Sequence, residues 1–344
     1  MNRPATVPLR AFAAAAAMWP WVVACSGPVA PTAGPCDIAS STGPWTVAYS
    51  AVPPPLIESR TYDIAGGFIV GSGRFADGAE ANFLLTPARE VIRLAPGPGD
   101  DATEAFRVNR HGTVLGHSYQ SSGQRANGTV IWHFRGPPEA APAPGITPIG
   151  INDDGVVVGS AVFGGQIHAA RWRPGLPIED ISSPLPPPEL ETAAAINNHG
   201  AIVGFGSTGS AGGETPFLWT EIAGYERLGH PPGNPQWTHA EAINDCGVVA
   251  GESLYQPSGS VFVAGIDSTG VVFGNVGIGD VVHGFTTHPY AWSANGYTTL
   301  PENGLQTYIW GVDQCGSVAA EATRVGNGGT LFAPILLWSA PCGP

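Results

Sequence analysis

The chain has 344 residues, with 48 Gly and 34 Pro, 43% hydrophobic residues and only 12% charged ones. Its 14 basic residues are all Arg and face 27 acidic ones, a formal net charge of -13 at pH 7. A surface this acidic repels phosphate backbones and excludes nucleic acid as a partner, while turn residues crowded between short Val/Ile runs exclude a helical protein in favour of an all-β one.

The chain opens on an address. Arg3 and Arg10 flank an apolar stretch, Ala11 to Ala24, the length of a signal-peptide core and too short to span a bilayer. Residues 1–24 therefore read as a signal peptide. The stretch ends in Val22-Val23-Ala24-Cys25, which resembles a bacterial lipobox and implies cleavage before Cys25 and lipidation of its thiol; the alternative is an ordinary secretory signal cut near Ala24. Residues 25–43, rich in Pro, Ala and Gly, read as a tether, and 44–344 as one domain. The expected location is the outer membrane or cell surface through a lipid anchor, otherwise the periplasm or the medium.

With Cys25 lipidated, Cys36, Cys246, Cys315 and Cys342 remain, an even number in an oxidising compartment. Two disulfides are expected, with three possible pairings. The neatest joins Cys36 to Cys342, tying the chain ends, and Cys246 to Cys315. No Cys-x-x-Cys pair or His at ligand spacing accompanies them, so no metal site is expected.

From about residue 60 a phrase recurs: Asn or Asp, then Gly, two apolar residues, and Gly or Ala. Ile151-Asn152-Asp153-Asp154-Gly155-Val156-Val157-Val158-Gly159 and Ile196-Asn197-Asn198-His199-Gly200-Ala201-Ile202-Val203-Gly204 are typical copies. The first Gly falls at 67, 112, 155, 200, 247, 270 and 316, giving gaps of 45, 43, 45, 47, 23 and 46. A period in the forties with β content indicates propeller blades. Asx tolerates the turn, the first Gly completes it, and the closing Gly lets backbones converge.

Each phrase is followed by an apolar strand that ends in Trp in most copies (Trp132, Trp172, Trp219, Trp292, Trp338), then a short strand, then an approach segment such as Ala240-Glu241-Ala242-Ile243-Asn244. That is four β elements per period, the content of a blade. The Val/Ile pairs of the phrase, lacking polar alternation, suit an inner strand covered on both faces. The short gap of 23 between Gly247 and Gly270 marks half a missing blade. We expect a β-propeller of six or seven four-stranded blades, with the stretch Trp45 to Tyr49 completing the last blade from the N-terminal end and removing its open edge.

The I-N-x-x-G-x-V-V-G form, followed by strands such as His168-Ala169-Ala170-Arg171-Trp172 and Pro216-Phe217-Leu218-Trp219, resembles the bacterial extracellular HAF repeat family over roughly residues 60 to 340. No copy carries the full His-Ala-Phe tripeptide. The resemblance implies an exported β-propeller-like protein and no particular activity.

Catalytic motifs fail on inspection. Gly204-Phe205-Gly206-Ser207-Thr208-Gly209 lacks the helix that a dinucleotide phosphate needs, and Gly116-His117-Ser118-Tyr119-Gln120 breaks the nucleophile elbow at its last position. Asn152-Asp153-Asp154 and Asn244-Asp245 supply oxygens, but turns require Asx there. His111 and His199 share a turn slot and should face solvent. His283, His288 and Asp280 form a local cluster whose ordinary reading is a surface loop. No catalytic residue, metal or cofactor is expected. Loops that differ between copies carry Tyr119, Trp237 and Tyr255, aromatics able to stack on a sugar or anchor a protein.

The sequence thus favours a monomeric envelope lipoprotein whose propeller is a non-catalytic binding module for a protein or glycan of the envelope. The alternative is a propeller hydrolase or lyase acting on polysaccharide. It requires Asp, Glu, His or Arg from several blades to converge on the axis, and the strands read as inner supply almost none.

Overall fold

The computed structural model describes residues 21–24, 46–50, 52–122, 128–134, 136, 138–140, 145–184, 190–207, 213–230, 237–254, 261–280, 284–293, 296–302, 306–326 and 329–338. Among them every regular element is a strand. Two come early, β1 (Trp21–Ala24) and β2 (Thr46–Ser50), and join sheets formed far along the chain.

The repeats then follow in order. β3 (Leu56–Ala65), β4 (Phe68–Phe75), β5 (Glu80–Leu85) and β6 (Val91–Arg93) make one antiparallel sheet, and β7 (Ala102–Val108), β8 (Val114–Tyr119), β9 (Gly128–Trp132) and β10 (Pro138–Ala140) the next. The third repeat is β11 (Ile146–Ile151), β12 (Val157–Phe163), β13 (Gln166–Trp172) and β14 (Glu179–Asp180); the fourth is β15 (Leu190–Ile196), β16 (Ile202–Ser207), β17 (Glu214–Thr220) and β18 (Gly224–Arg227). The fifth has only β19 (Trp237–Ile243) and β20 (Val248–Leu254), as the short gap requires, and β1 pairs with β20 along its free edge. Single parallel pairs, Ile167 with Leu190 and Glu214 with Trp237, join these three repeats edge to edge. The sixth is β21 (Val261–Ile266), β22 (Val272–Asp280), β23 (Gly284–Ser293) and β24 (Gly296–Thr299). The last is β25 (Gln306–Val312), β26 (Val318–Gly326) and β27 (Gly329–Trp338), and β2 adds to β27 as its fourth strand.

The turn between the first two strands of a repeat explains the phrase. Asn152 accepts the Asp154 and Val156 N–H groups on Oδ1, at 3.1 and 3.0 Å, and Gly155 closes the turn at φ 76°. Its Nδ2 donates to the Asn197 carbonyl, 3.2 Å away in the next repeat. The pattern is a relay: Asn109 donates to Asn152 O, Asn197 to Asn244 O and Asn244 to Asp267 O, at 3.0, 3.0 and 2.8 Å. Each buried Asn therefore satisfies its own turn and its neighbour's backbone, groups that would otherwise be unpaired inside the protein.

The closing Gly has an equally concrete cause. A Cβ on Gly71, Gly159, Gly204 or Gly274 would overlap the carbonyl oxygen of Arg60, Thr147, Thr192 or Phe262 on the preceding strand. Beside that contact each first strand carries a bulge, as at Thr61/Asp63, Ala240/Ala242 and Ile309/Gly311.

The core lies between repeats rather than within them. Val70 and Leu84 pack with Val108, Val130 and Trp132 of the next sheet, Leu115 and Ile131 with Val157 and Trp172, and Val158 with Ile202 and Phe217. Phe273 packs with Ile309 and Val318. Ala319 of the last repeat is buried with Leu56, Ile64 and Phe83 of the first. Stacking of neighbours is what removes these apolar faces from water.

Replacing Asn197 by Ala removes three hydrogen bonds of a buried side chain, from the His199 and Ala201 amides and to the Asn244 carbonyl. Thermal or urea unfolding should show a loss of about 2–4 kcal/mol, whereas His199→Ala, at an exposed slot of the same turn, should stay within about 0.5 kcal/mol.

Candidate functional site

The first strands β3, β7, β11, β15, β19, β21 and β25 converge, and their ends line a shared cavity of about 260 Å³. This corrects the sequence reading, which placed the Val/Ile strand of the phrase innermost. The phrase strands are the second in each sheet; the approach segments line the channel. The polar residues expected to be missing from the axis are therefore present, including Asp63, Arg107, Glu241 and Asp245.

At the turn end these side chains mostly tie repeats together. Asp153 accepts the Arg110 amide at 3.0 Å and pairs with its Nε at 2.8 Å, and donates its own amide to Asn198 Oδ1. Asn198 bonds Asp245 through both its amide and its side chain, at 2.8 and 2.9 Å. The Asx groups weighed against calcium are thus held in turn and inter-repeat hydrogen bonds. Asp63 faces the same cavity and accepts the Val108 amide at 3.0 Å. Burial raises its carboxyl to about 6, against the opposing charge of Arg107.

Trp310 brings an aromatic cluster to the cavity. Tyr308 lies 4.6 Å from Trp310 between ring centroids; Tyr62 meets Trp310 edge-on at 6.4 Å, and Phe262 is 6.4 Å from Tyr308. Trp310 and Phe262 stay 41% and 45% exposed, unlike the core aromatics Phe83 and Phe273 at 0%. Burial raises the Glu321 carboxyl, against the charge of Arg60 and the nearby Trp310.

Glu241, also on the cavity wall, belongs to a His and carboxylate group. His239 on β19 contacts Glu214 through Nε2 and Glu241 Oε1 through Nδ1, the latter at 3.2 Å. Phe205 stacks on the imidazole at 3.8 Å and 13°. Glu252 is the cross-strand partner of His239 on β20. Burial disfavours the His239 imidazolium, yet its bonds to Glu241 and Glu214 hold it above the usual range. Glu252 is pushed up to about 7 by burial and then by the charge of Glu241.

The residues singled out from sequence lie elsewhere or outside view. Tyr119 ends β8, half-buried, with its carbonyl accepting the Asp101 amide. Trp237 opens β19, two residues before His239 and paired with Leu254. Tyr255, Cys25, Cys36 and Cys342 lie outside the described residues, as does His283. Cys246 and Cys315 occupy the same turn slot, Cys315 on the cavity wall. His288 bonds Glu302 at 2.7 Å, while His111 and His199 are exposed as expected. The missed residues do have a signal: Tyr308, Phe262 and His239 stand five positions, and Trp310, Glu241 and Tyr62 three, before the Asx slot of their copies.

No family model matches the chain, and no curated protein does. Among solved structures it is similar to a streptogramin B lyase (10% identity, 85% of this chain and 97% of that one, TM-score 0.45). It is also similar to virginiamycin B lyase from Staphylococcus aureus (9%, 85% and 99%, TM-score 0.43) and to a gluconolactonase from Xanthomonas campestris (12%, 85% and 95%, TM-score 0.35). At these TM-scores the likenesses carry nothing about the chemistry of this chain.

Asp63 supplies a test of the channel's electrostatics. Its carboxyl is raised in the folded state, so stability should fall as pH rises from about 4 to about 6 and stay lowered above that. The shift to about 6 caps the effect at about 3 kcal/mol; because the group touches a water-accessible channel, about 1 kcal/mol is expected. Asp63→Asn should therefore raise the melting temperature at pH 7.5 and leave it unchanged at pH 4.

Proposed function

We propose that the protein is an exported envelope lipoprotein whose propeller binds a glycan on the channel wall. The observation that carries this reading is the exposure of Trp310 and Phe262 beside Tyr308 and Tyr62. Large aromatic faces left open on a rigid wall favour the apolar face of a sugar ring. The carboxylates of the His239 group accept hydrogen bonds from sugar hydroxyls. The reading takes the domain as a closed ring of seven blades, supported by the β2–β27 pairing and by Ala319 packing into the first repeat.

The chain is anchored through lipid on Cys25 and acts as a monomer. Cys246 is joined to Cys315, a pairing supported by their matching turn slots; Cys36 joins Cys342. With residues 1–24 removed as signal, β1 leaves with them and the edge of β20 is free for another strand.

A second reading, a hydrolase or lyase on polysaccharide, is favoured by His239 amid Glu214, Glu241 and Glu252. A carboxyl raised by burial beside an imidazole suits general acid and base work.

Titrating envelope oligosaccharides against Trp fluorescence should give saturable quenching without change in ligand mass, and Trp310→Ala should weaken binding at least about tenfold. Absence of saturable binding overturns the glycan reading; product formation abolished by Glu252→Gln establishes the second one. In the native host, Cys25→Ser should move the protein from the membrane to the soluble fraction and abolish labelling by a fatty acid.

A further inference from the structure

We infer that His239, Glu241 and Glu252 form a binding site for a transition-metal dication of the zinc or manganese class. Their donor atoms all lie within 4.8 Å of one another, and His239 Nδ1 is already 3.2 Å from Glu241 Oε1. Donors around a tetrahedral ion with bonds of about 2.1 Å stand about 3.4 Å apart, so small rotations of Glu241 and Glu252 complete the set. One imidazole with two carboxylates selects a borderline ion over calcium or magnesium, which prefer oxygen alone.

The surroundings match a ligating His. Glu214 takes Nε2, which fixes the proton there and leaves the Nδ1 lone pair for the ion, the carboxylate–histidine–metal arrangement. Phe205 stacked on the ring locks its orientation. Without the ion His239 is held as an imidazolium between Glu214 and Glu241; on binding, its Nδ1 proton is released to solvent, the Nε2 proton stays on Glu214's side, and the ion bonds to Nδ1 and to one oxygen from each of Glu241 and Glu252.

Two independent features point to a cation. Glu241 and Glu252 bring two carboxylates together beside one imidazole in a part-buried space. Tyr290, only 4% exposed, carries a hydroxyl with no hydrogen-bond partner, and the charge of Glu252 reaches it. A water on the ion would give that hydroxyl an acceptor. The site rests on these geometries and not on the glycan reading.

Equilibrium dialysis and calorimetry of the purified mature chain with Zn²⁺ and with Mn²⁺ alone test it, with Co²⁺ absorption as the readout of the coordinating set. One ion per chain at micromolar affinity or tighter is expected, with at least about tenfold weakening in Glu252→Gln and in His239→Ala. Glu252→Gln keeps the side chain's size and serves if His239→Ala does not fold. Binding only at millimolar ion, or binding unchanged in Glu252→Gln, overturns the site.

Discussion

The structure depends on one buried amide used twice. In each of the Asn copies the side-chain oxygen closes its own turn while the side-chain nitrogen caps the backbone of the next repeat. Neither group has water to fall back on, so a repeat cannot settle its turn without a neighbour in place. Local geometry and inter-repeat order are thereby one interaction.

From that follows the shape of the channel. The turn pins the second strand, the closing Gly presses it against the carbonyl of the first, and the bulge beside that contact turns consecutive first-strand side chains toward the axis. The backbone device is the same in every copy, so the chemistry of the wall is set by what occupies two columns. In the second and third repeats these columns hold Glu104, Phe106, Thr147 and Ile149; in the last they hold Tyr308 and Trp310. One wall can therefore be aromatic and another ionic without any change of fold.

How much of this is readable before folding differs by element. The Asx turn with its left-handed Gly follows from residue type, as does convergence at Gly159 and Gly204, because few residues other than Gly satisfy either. The pairing of the Thr46 to Ser50 strand with the end of the chain follows from a missing partner at Trp338. Which strand lines the channel does not: Val157 and Val158 are covered on both faces by adjacent sheets, and an innermost strand would show the same run. Trp310 and Phe262 carry no mark in the sequence, because type alone cannot separate a buried ring from an exposed one. His239 and Glu252 are 13 residues apart in the chain and meet only through antiparallel pairing.

The Asn relay also has a direction, each repeat donating to the one that follows it. A chain built this way can gain or lose a whole copy by duplication or deletion and present the same junction to both neighbours, provided donor and acceptor ends are kept. The exception is the seam, where Asp267 and Asp313 replace Asn and Ala65 holds the slot in the first copy. There the amide donor is gone, and Ser268 reaches the Gln314 carbonyl through its backbone instead. Copies between Asn109 and Asn244 are interchangeable in this sense; those flanking the seam are tailored to one place, so variation in repeat number belongs to the first group.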